Sequence, residues 1–258
     1  MINLEKAKQA FAAYVKQYDV HDEQIQLKIK HTYEVMRYSE MIASDLALSD
    51  EQIKLASLIG LLHDIGRFEQ IRRYHTFIDR DSVNHAMLGV EILKEKDFIR
   101  TFVEEGYDDI IFTAIANHNK FRIDESLTGD TLIQAKIIRD ADKIDIFRVN
   151  STHSCETLFM CREDEMKNTL ISKEVFQDFM THTSILSEKR KTPGDILVSH
   201  IALIYDFNYP ICFKVLLQHS WIHDLLRRFE FENPNTKRVI QQIEQEILDY
   251  LNKHQFNS

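Results

Sequence analysis

Glycine occurs six times and proline three times in these 258 residues. A sheet protein reverses every few residues and draws those turns largely from Gly, Pro, Asn and Asp. A chain this poor in the first two is therefore expected to be all-α, with few reversals. The apolar spacing agrees. Leu27, His31, Val35, Tyr38 and Ile42 recur at helical intervals, which predicts a helix over about residues 22–44. Ser49 or Asp50 suits the next N-cap, ahead of Ile53, Ala56, Ile59 and Leu62. That helix is expected to stop at His63-Asp64-Ile65-Gly66, with Gly66 as the terminator. Residues 68–82 read as polar and irregular. Further helices are predicted over about residues 82–96, 108–119 and 130–149.

Within these helices, polar residues stand where apolar ones belong. His31 interrupts the stripe Leu27, Val35, Tyr38; His118 continues Ile111 and Ile115; Asp140 falls among Ile133, Ile137, Ile144 and Phe147. A buried carboxylate without a partner costs several kcal/mol, so something must compensate it. A divalent cation does so, and imidazole with carboxylate is the donor set that suits Zn, Fe or Mn. A single histidine on such a stripe is most often a hydrogen-bonded core residue. His85, in Asn84-His85-Ala86, has the weakest stripe around it.

The ordered set says more than any member. His31, then Leu61-Leu62-His63-Asp64-Ile65-Gly66-Arg67-Phe68, then Arg139-Asp140-Ala141-Asp142-Lys143-Ile144 resembles the HD superfamily of metal-dependent phosphohydrolases. Asn84-His85-Ala86-Met87-Leu88-Gly89 and Ala116-Asn117-His118-Asn119 resemble the extra histidines of its binuclear branch. The resemblance covers about residues 20–150. It implies an all-helical bundle in which His31, His63, Asp64 and Asp140 hold one divalent metal ion. It further implies that His85 and His118 complete a second site, with Asp64 bridging and catalytic. Where the superfamily often has Lys after the HD text, this chain has Arg67, which keeps the charge and can grip phosphate with two bonds. Arg67, Lys143 and Arg148 are the expected substrate-binding cations, and Arg67 is expected to be catalytic beside Asp64. Two metals, from Fe, Mn, Zn, Co or Mg, are the expected cofactors.

The implied activity is hydrolysis of a phosphate ester or anhydride of a small molecule, with a nucleotide first in order. The pattern looks most like bacterial enzymes that cleave dinucleoside tetraphosphates. No Gly-Tyr-Pro text of the cyclic-dinucleotide phosphodiesterases stands beside an HD ligand. A mixed-valent diiron oxygenase and a nucleotide-sensing protein are the alternatives. Net charge is −9, which argues against tracking a long nucleic acid. No apolar run has the length of a membrane span, and Cys155, Cys161 and Cys212 show no CxxC spacing, so a cytoplasmic protein with reduced thiols is expected. Residues 1–150 are expected to form the metal-binding domain and residues 151–258 a helical extension packed on it. The aromatics of that extension, including Tyr205, Phe207, Phe213 and Trp221, suit its own core, a cleft wall or a homodimer interface.

Overall fold

The structure, a computed structural model, describes residues 1–159 and 161–255. It is all-α. Among the described residues the extended pairing is limited to one isolated bridge between Ile2 and Val103. The chain divides into two compact units, Met1–Asp142 and Lys143–Ser258. No helix among the described residues is long and apolar enough to cross a membrane.

The first unit contains α1 (Leu4–Val15), α2 (Glu23–Asp45), α3 (Asp50–Leu62), α4 (Ile65–Tyr74), α5 (His85–Lys94) and α6 (Asp108–His118). The seventh helix, α7 (Gly129–Thr152), begins in this unit and runs past its boundary. Asp22 caps α2 by accepting from the N–H groups of Gln24 and Ile25, and Ser49 caps α3 by accepting from Gln52. Every residue of α3 from Leu55 to Leu62 is buried. Helix α3 packs against α2, and Gly60 permits the close approach: a Cβ there would stand 2.8 Å from the Met36 Cα. The two helices therefore run with their backbones nearly touching, and His31 and His63 share one buried space.

Two expectations need correction here. Gly66 does not end a helix, and residues 68–82 are not irregular throughout. The chain breaks only at His63-Asp64, and α4 starts at once. The stretch looks polar because of Glu69, Arg72 and Arg73, yet Phe68, Glu69, Gln70 and Ile71 are buried. The Glu69 carboxylate is neutralised by Arg72 and Arg73 one turn further on, which allows a charged residue to face inward. Gly66 serves a different purpose. A Cβ on it would overlap the His85 carbonyl oxygen and lie 2.6 Å from the Gly89 nitrogen, so it lets α4 and α5 meet backbone to backbone. Helix α4 ends instead at His75, in a left-handed conformation with φ 54°.

The second unit holds the rest of α7 and then α8 (Cys155–Phe159), α9 (Glu163–Lys167), α10 (Lys173–Met180), α11 (Pro193–Ile201), α12 (Ile211–Gln218), α13 (Trp221–Arg227) and α14 (Pro234–Gln255). It has its own core, including Phe159, Phe179, Leu197, Ile201, Leu225 and Ile243. Phe213, Phe229 and Phe231 are buried in that core, and Tyr205, Phe207 and Trp221 pack against it. This packing accounts for the density of aromatics. All three cysteines are free and buried.

Candidate metal centre

The centre lies where four helix ends and two helix faces of the first unit converge. Its first carboxylate is Asp64, in the two-residue gap between α3 and α4. An Asp at a helix N-cap ordinarily accepts from the N–H groups of the first turn. Asp64 holds that position with φ −105° and ψ 16° but makes no side-chain cap, so its carboxylate is directed elsewhere. It is 2 % exposed, and its two oxygens face different partners. Oδ2 lies 3.6 Å from His31 Nε2 and 3.6 Å from His63 Nε2. Oδ1 lies 3.4 Å from His85 Nε2 and 3.8 Å from His118 Nε2.

Each histidine is aimed by a bond at its other nitrogen or by its helix. His63 Nδ1 donates to the Gly60 carbonyl at 2.8 Å, and His118 Nδ1 donates to the Ile115 carbonyl at 2.7 Å. His85, the first residue of α5, directs Nδ1 to both oxygens of Asp79 at 2.7 and 2.9 Å. Asn84 caps α5 through the Ala86 and Met87 N–H groups, which fixes the turn on which His85 stands. The end of α6 that carries His118 is held by the buried guanidinium of Arg139. It donates to the carbonyls of Asn117 and His118 at 3.1 and 3.3 Å, and to those of Lys120 and Phe121. A helix end leaves those carbonyls without intrahelical partners, and Arg139 supplies them.

Those bonds leave one lone pair on each of three buried nitrogens, the Nε2 atoms of His63, His85 and His118. His63 Nε2 is sealed from solvent and has no hydrogen-bond partner. His85 Nε2 and His118 Nε2 face each other at 3.1 Å. Lone pairs facing lone pairs and carboxylates repel, and a buried orphan acceptor is costly. A cation among them turns the repulsion into coordination, so the residues present fit a divalent metal. Two groups have all their donor atoms within 4.8 Å of one another: His31 with His63 and Asp142, and His63 with Asp64 and His118.

From α7, Asp142 stands among the histidines. His31 Nε2 is 3.1 Å from Asp142 Oδ1, and His63 Nε2 is 3.9 Å from it. Two residues along a helix turn the side chain by about 200°, so Asp140 and Asp142 leave α7 in different directions. Asp140 is fully buried on the same helix. The expected result is that Asp142→Ala lowers the metal content of the purified protein, whereas Asp140→Asn leaves metal content unchanged and lowers thermal stability instead. Metal analysis beside a melting curve for both variants checks this, and metal loss in Asp140→Asn alone would restore Asp140 as the ligand.

The electrostatics suit a cation site. Burial pushes the His63 imidazole down to about 4, against the pull of Asp64 and Asp142, and pushes His85 down to about 3, with Arg67 adding to the effect. Both are therefore neutral ligands across the ordinary pH range. Burial opposes ionisation of Asp64, but Lys28, His63, His118 and Arg67 outweigh it and hold the carboxyl well below its usual range. Asp142 is likewise held low, burial being outweighed by His31 and His63.

Lys28 is a residue that the sequence analysis missed. Its ammonium is 2.7 Å from Asp64 Oδ2. The signal was available, since Lys28 precedes His31 by three residues and so shares its helix face. Arg67 Nε stands 3.5 Å from Asp64 Oδ1, while its Nη1 donates to Gln70, to the Phe77 carbonyl and to Asp79. Both cations lie over the Phe77 ring, at 5.6 and 5.7 Å from its centroid. Lys143 and Arg148 belong to the second unit, where Lys143 pairs with Asp206 at 2.7 Å and Arg148 with Asp145 at 2.6 Å.

The HD domain family model matches residues 29–146, a span that contains every residue of this centre except Lys28. No curated protein and no solved structure matches the chain.

Proposed function

Residues 29–146 of this chain belong to the HD domain family, whose members bind divalent metals and are mostly metal-dependent hydrolases, and on that premise we propose that the protein hydrolyses a phosphate ester or anhydride of a small molecule, a nucleotide first among the candidates. The observation that carries this reading is the division of Asp64. One oxygen faces His31 and His63, and the other faces His85 and His118. A carboxylate so divided suits a bridge between two metal ions. His31, His63 and Asp142 would hold the first, and His85 and His118 the second. Two divalent ions, when bound, make hydroxide available near neutral pH and offset charge on phosphoryl oxygens.

The chain's own residues do the remaining work. Asp64 keeps its charge and its position because Lys28 and Arg67 flank it. Those two cations, each about one-sixth exposed, present positive charge at the edge of the centre, as an anionic substrate requires. Phe77 sets the two side chains side by side. Asp79 joins Arg67 to His85, so a substrate gripped by Arg67 is registered against a metal ligand.

Metal analysis, followed by a phosphate-release screen across nucleotides with Mn, Fe(II), Co and Mg, tests the proposal. Phosphate release that depends on metal is expected. Oxygen uptake with no phosphate release, in metal-loaded protein, would replace the hydrolase with an oxygenase. Arg67→Ala is expected to cost roughly tenfold to a thousandfold in kcat/KM, the scale of a lost charge-assisted contact, and Arg67→Lys to recover part of it. Lys28→Met is expected to raise KM by about tenfold. Kinetics unchanged in all three variants would remove both cations from the substrate site.

A further inference from the structure

In the second unit, Cys155 opens α8 and Cys161 stands two residues before α9. A regular helix rises about 1.5 Å per residue, so six residues along one would carry the second thiol about 9 Å past the first. Helix α8 instead ends at Phe159, and the two sulfurs are in contact, 3.4 Å apart. Both belong to the core of this unit, Cys155 at 1 % exposed and Cys161 at 7 %. Burial alone is ordinary for a cysteine, which packs as a small apolar residue. It does not require two of the chain's three thiols to stand against each other.

The segment that carries them is fastened on both sides of Cys155. Arg228 donates to the Asn150 carbonyl at 2.8 Å and to the His153 carbonyl, and the Phe159 ring packs edge-on against Phe229 with centroids 5.7 Å apart. The two thiols are not equivalent. Burial pushes the Cys155 thiol up to about 12, and its bond to Cys161 adds to the effect. Burial pushes Cys161 up as well, but there the bond from Cys155 works the other way. Cys161 is thus the readier thiolate and the more exposed of the two, with Cys155 waiting beside it.

We propose that Cys155 and Cys161 form a reversible oxidation site at which hydrogen peroxide converts the thiol pair to a disulfide. The Cys161 sulfur attacks the peroxide, the O–O bond breaks, and the hydroxide that leaves takes the Cys161 proton as water. The Cys155 sulfur then attacks the Cys161 sulfenic acid. The S–S bond forms as the S–O bond breaks, and the second hydroxide takes the Cys155 proton as water. The two sulfurs together give two electrons to one peroxide. Because they already touch, the sulfenic acid passes to the disulfide ahead of further oxidation. The site lies outside residues 29–146, so the inference does not rest on the hydrolase reading.

The experiment uses the native full chain with a chelator present, so that no bound metal consumes peroxide. After exposure to hydrogen peroxide the protein is unfolded, alkylated and cut with trypsin, which places both cysteines in the peptide of residues 149–162. That peptide is expected to carry two alkyl groups before peroxide, none after it, and two again when dithiothreitol precedes alkylation. Cys212, fully buried on α12, is expected to be alkylated throughout. Cys155→Ser is expected to stop at a Cys161 sulfenic acid, which dimedone captures. Cys161→Ser is expected to leave Cys155 open to alkylation. Two alkyl groups on the parent peptide after peroxide, the loss of only one, or a loss that dithiothreitol does not reverse overturns the proposal. Oxidation of Cys155 in Cys161→Ser as fast as in the parent does the same.

Discussion

Alanine in place of Asp64 is expected to lower metal-dependent phosphate release by about 10³-fold or more while leaving the helices folded. No neighbour can take over its part. Asp142, the other acid of the centre, directs Oδ1 to His31 at 3.1 Å and cannot also face His85 and His118. The fold is expected to survive because Asp64 caps no helix, so its loss frees no N–H group of α4. Lys28 would lose its partner, but its side chain is 15 % exposed and can reach water. His63→Ala should have an effect of similar size. It removes the only residue common to both donor groups, together with an Nε2 that has no structural bond to lose. Circular dichroism beside phosphate release at saturating metal checks both variants. Half of the parent's rate in a folded variant would withdraw that residue from the centre.

The parts of this centre that were legible in the sequence are those fixed by long helical periodicity. Helices α2, α3, α6 and α7 each carry an apolar stripe of about two turns or more, and a histidine within such a stripe is expected to point inward. His31 and His118 are accordingly buried, as their stripes require. The pair Asp140 and Asp142 shows the limit of that method. The stripe Ile133, Ile137, Ile144, Phe147 includes Asp140 and leaves Asp142 out. Yet α7 is buried on nearly all sides at this point, with Ala135, Ile137, Ile138, Arg139, Asp140, Ala141, Lys143, Ile144 and Asp145 all inaccessible. A helix buried all round has no single inward face, so periodicity cannot choose between two acids about 200° apart.

Most cations after the HD text have local duties. Arg72 and Arg73 neutralise Glu69, and Arg139 closes the end of α6. Arg67 is the one among them with a contact to Asp64. His85 was the hardest to read, because its placement depends on contacts distant in sequence. Gly66 and Gly89 bring α4 and α5 together, and Asp79, six residues earlier in a polar loop, aims the ring. Asn119 extends that loop's support by donating to Asp79 at 3.1 Å and to Asn84 at 3.0 Å. None of these contacts has a period for a sequence to display.

His85→Ala and His118→Ala are each expected to leave about one metal ion per chain where the parent holds about two, and to lose most turnover. The two rings face the same oxygen of Asp64 and stand 3.1 Å apart, so removing either dismantles one side of the centre. On the other side, His31, Asp142 and the Oδ2 oxygen of Asp64 keep their distances, and His63 remains anchored to the Gly60 carbonyl. The two variants should differ in stability. His118 lies at the end of α6, where Arg139 continues to hold the carbonyls after the ring is gone. Loss of His85 instead strips Asp79 of its closest partner and leaves that carboxylate to Arg67, Gln70 and Asn119. His85→Ala should therefore also shift the substrate-binding cation and raise KM, whereas His118→Ala should act mainly on kcat. Metal content measured beside both kinetic constants decides the matter. Parent-like metal content and rate in both variants would make the centre mononuclear and return the two histidines to a structural role.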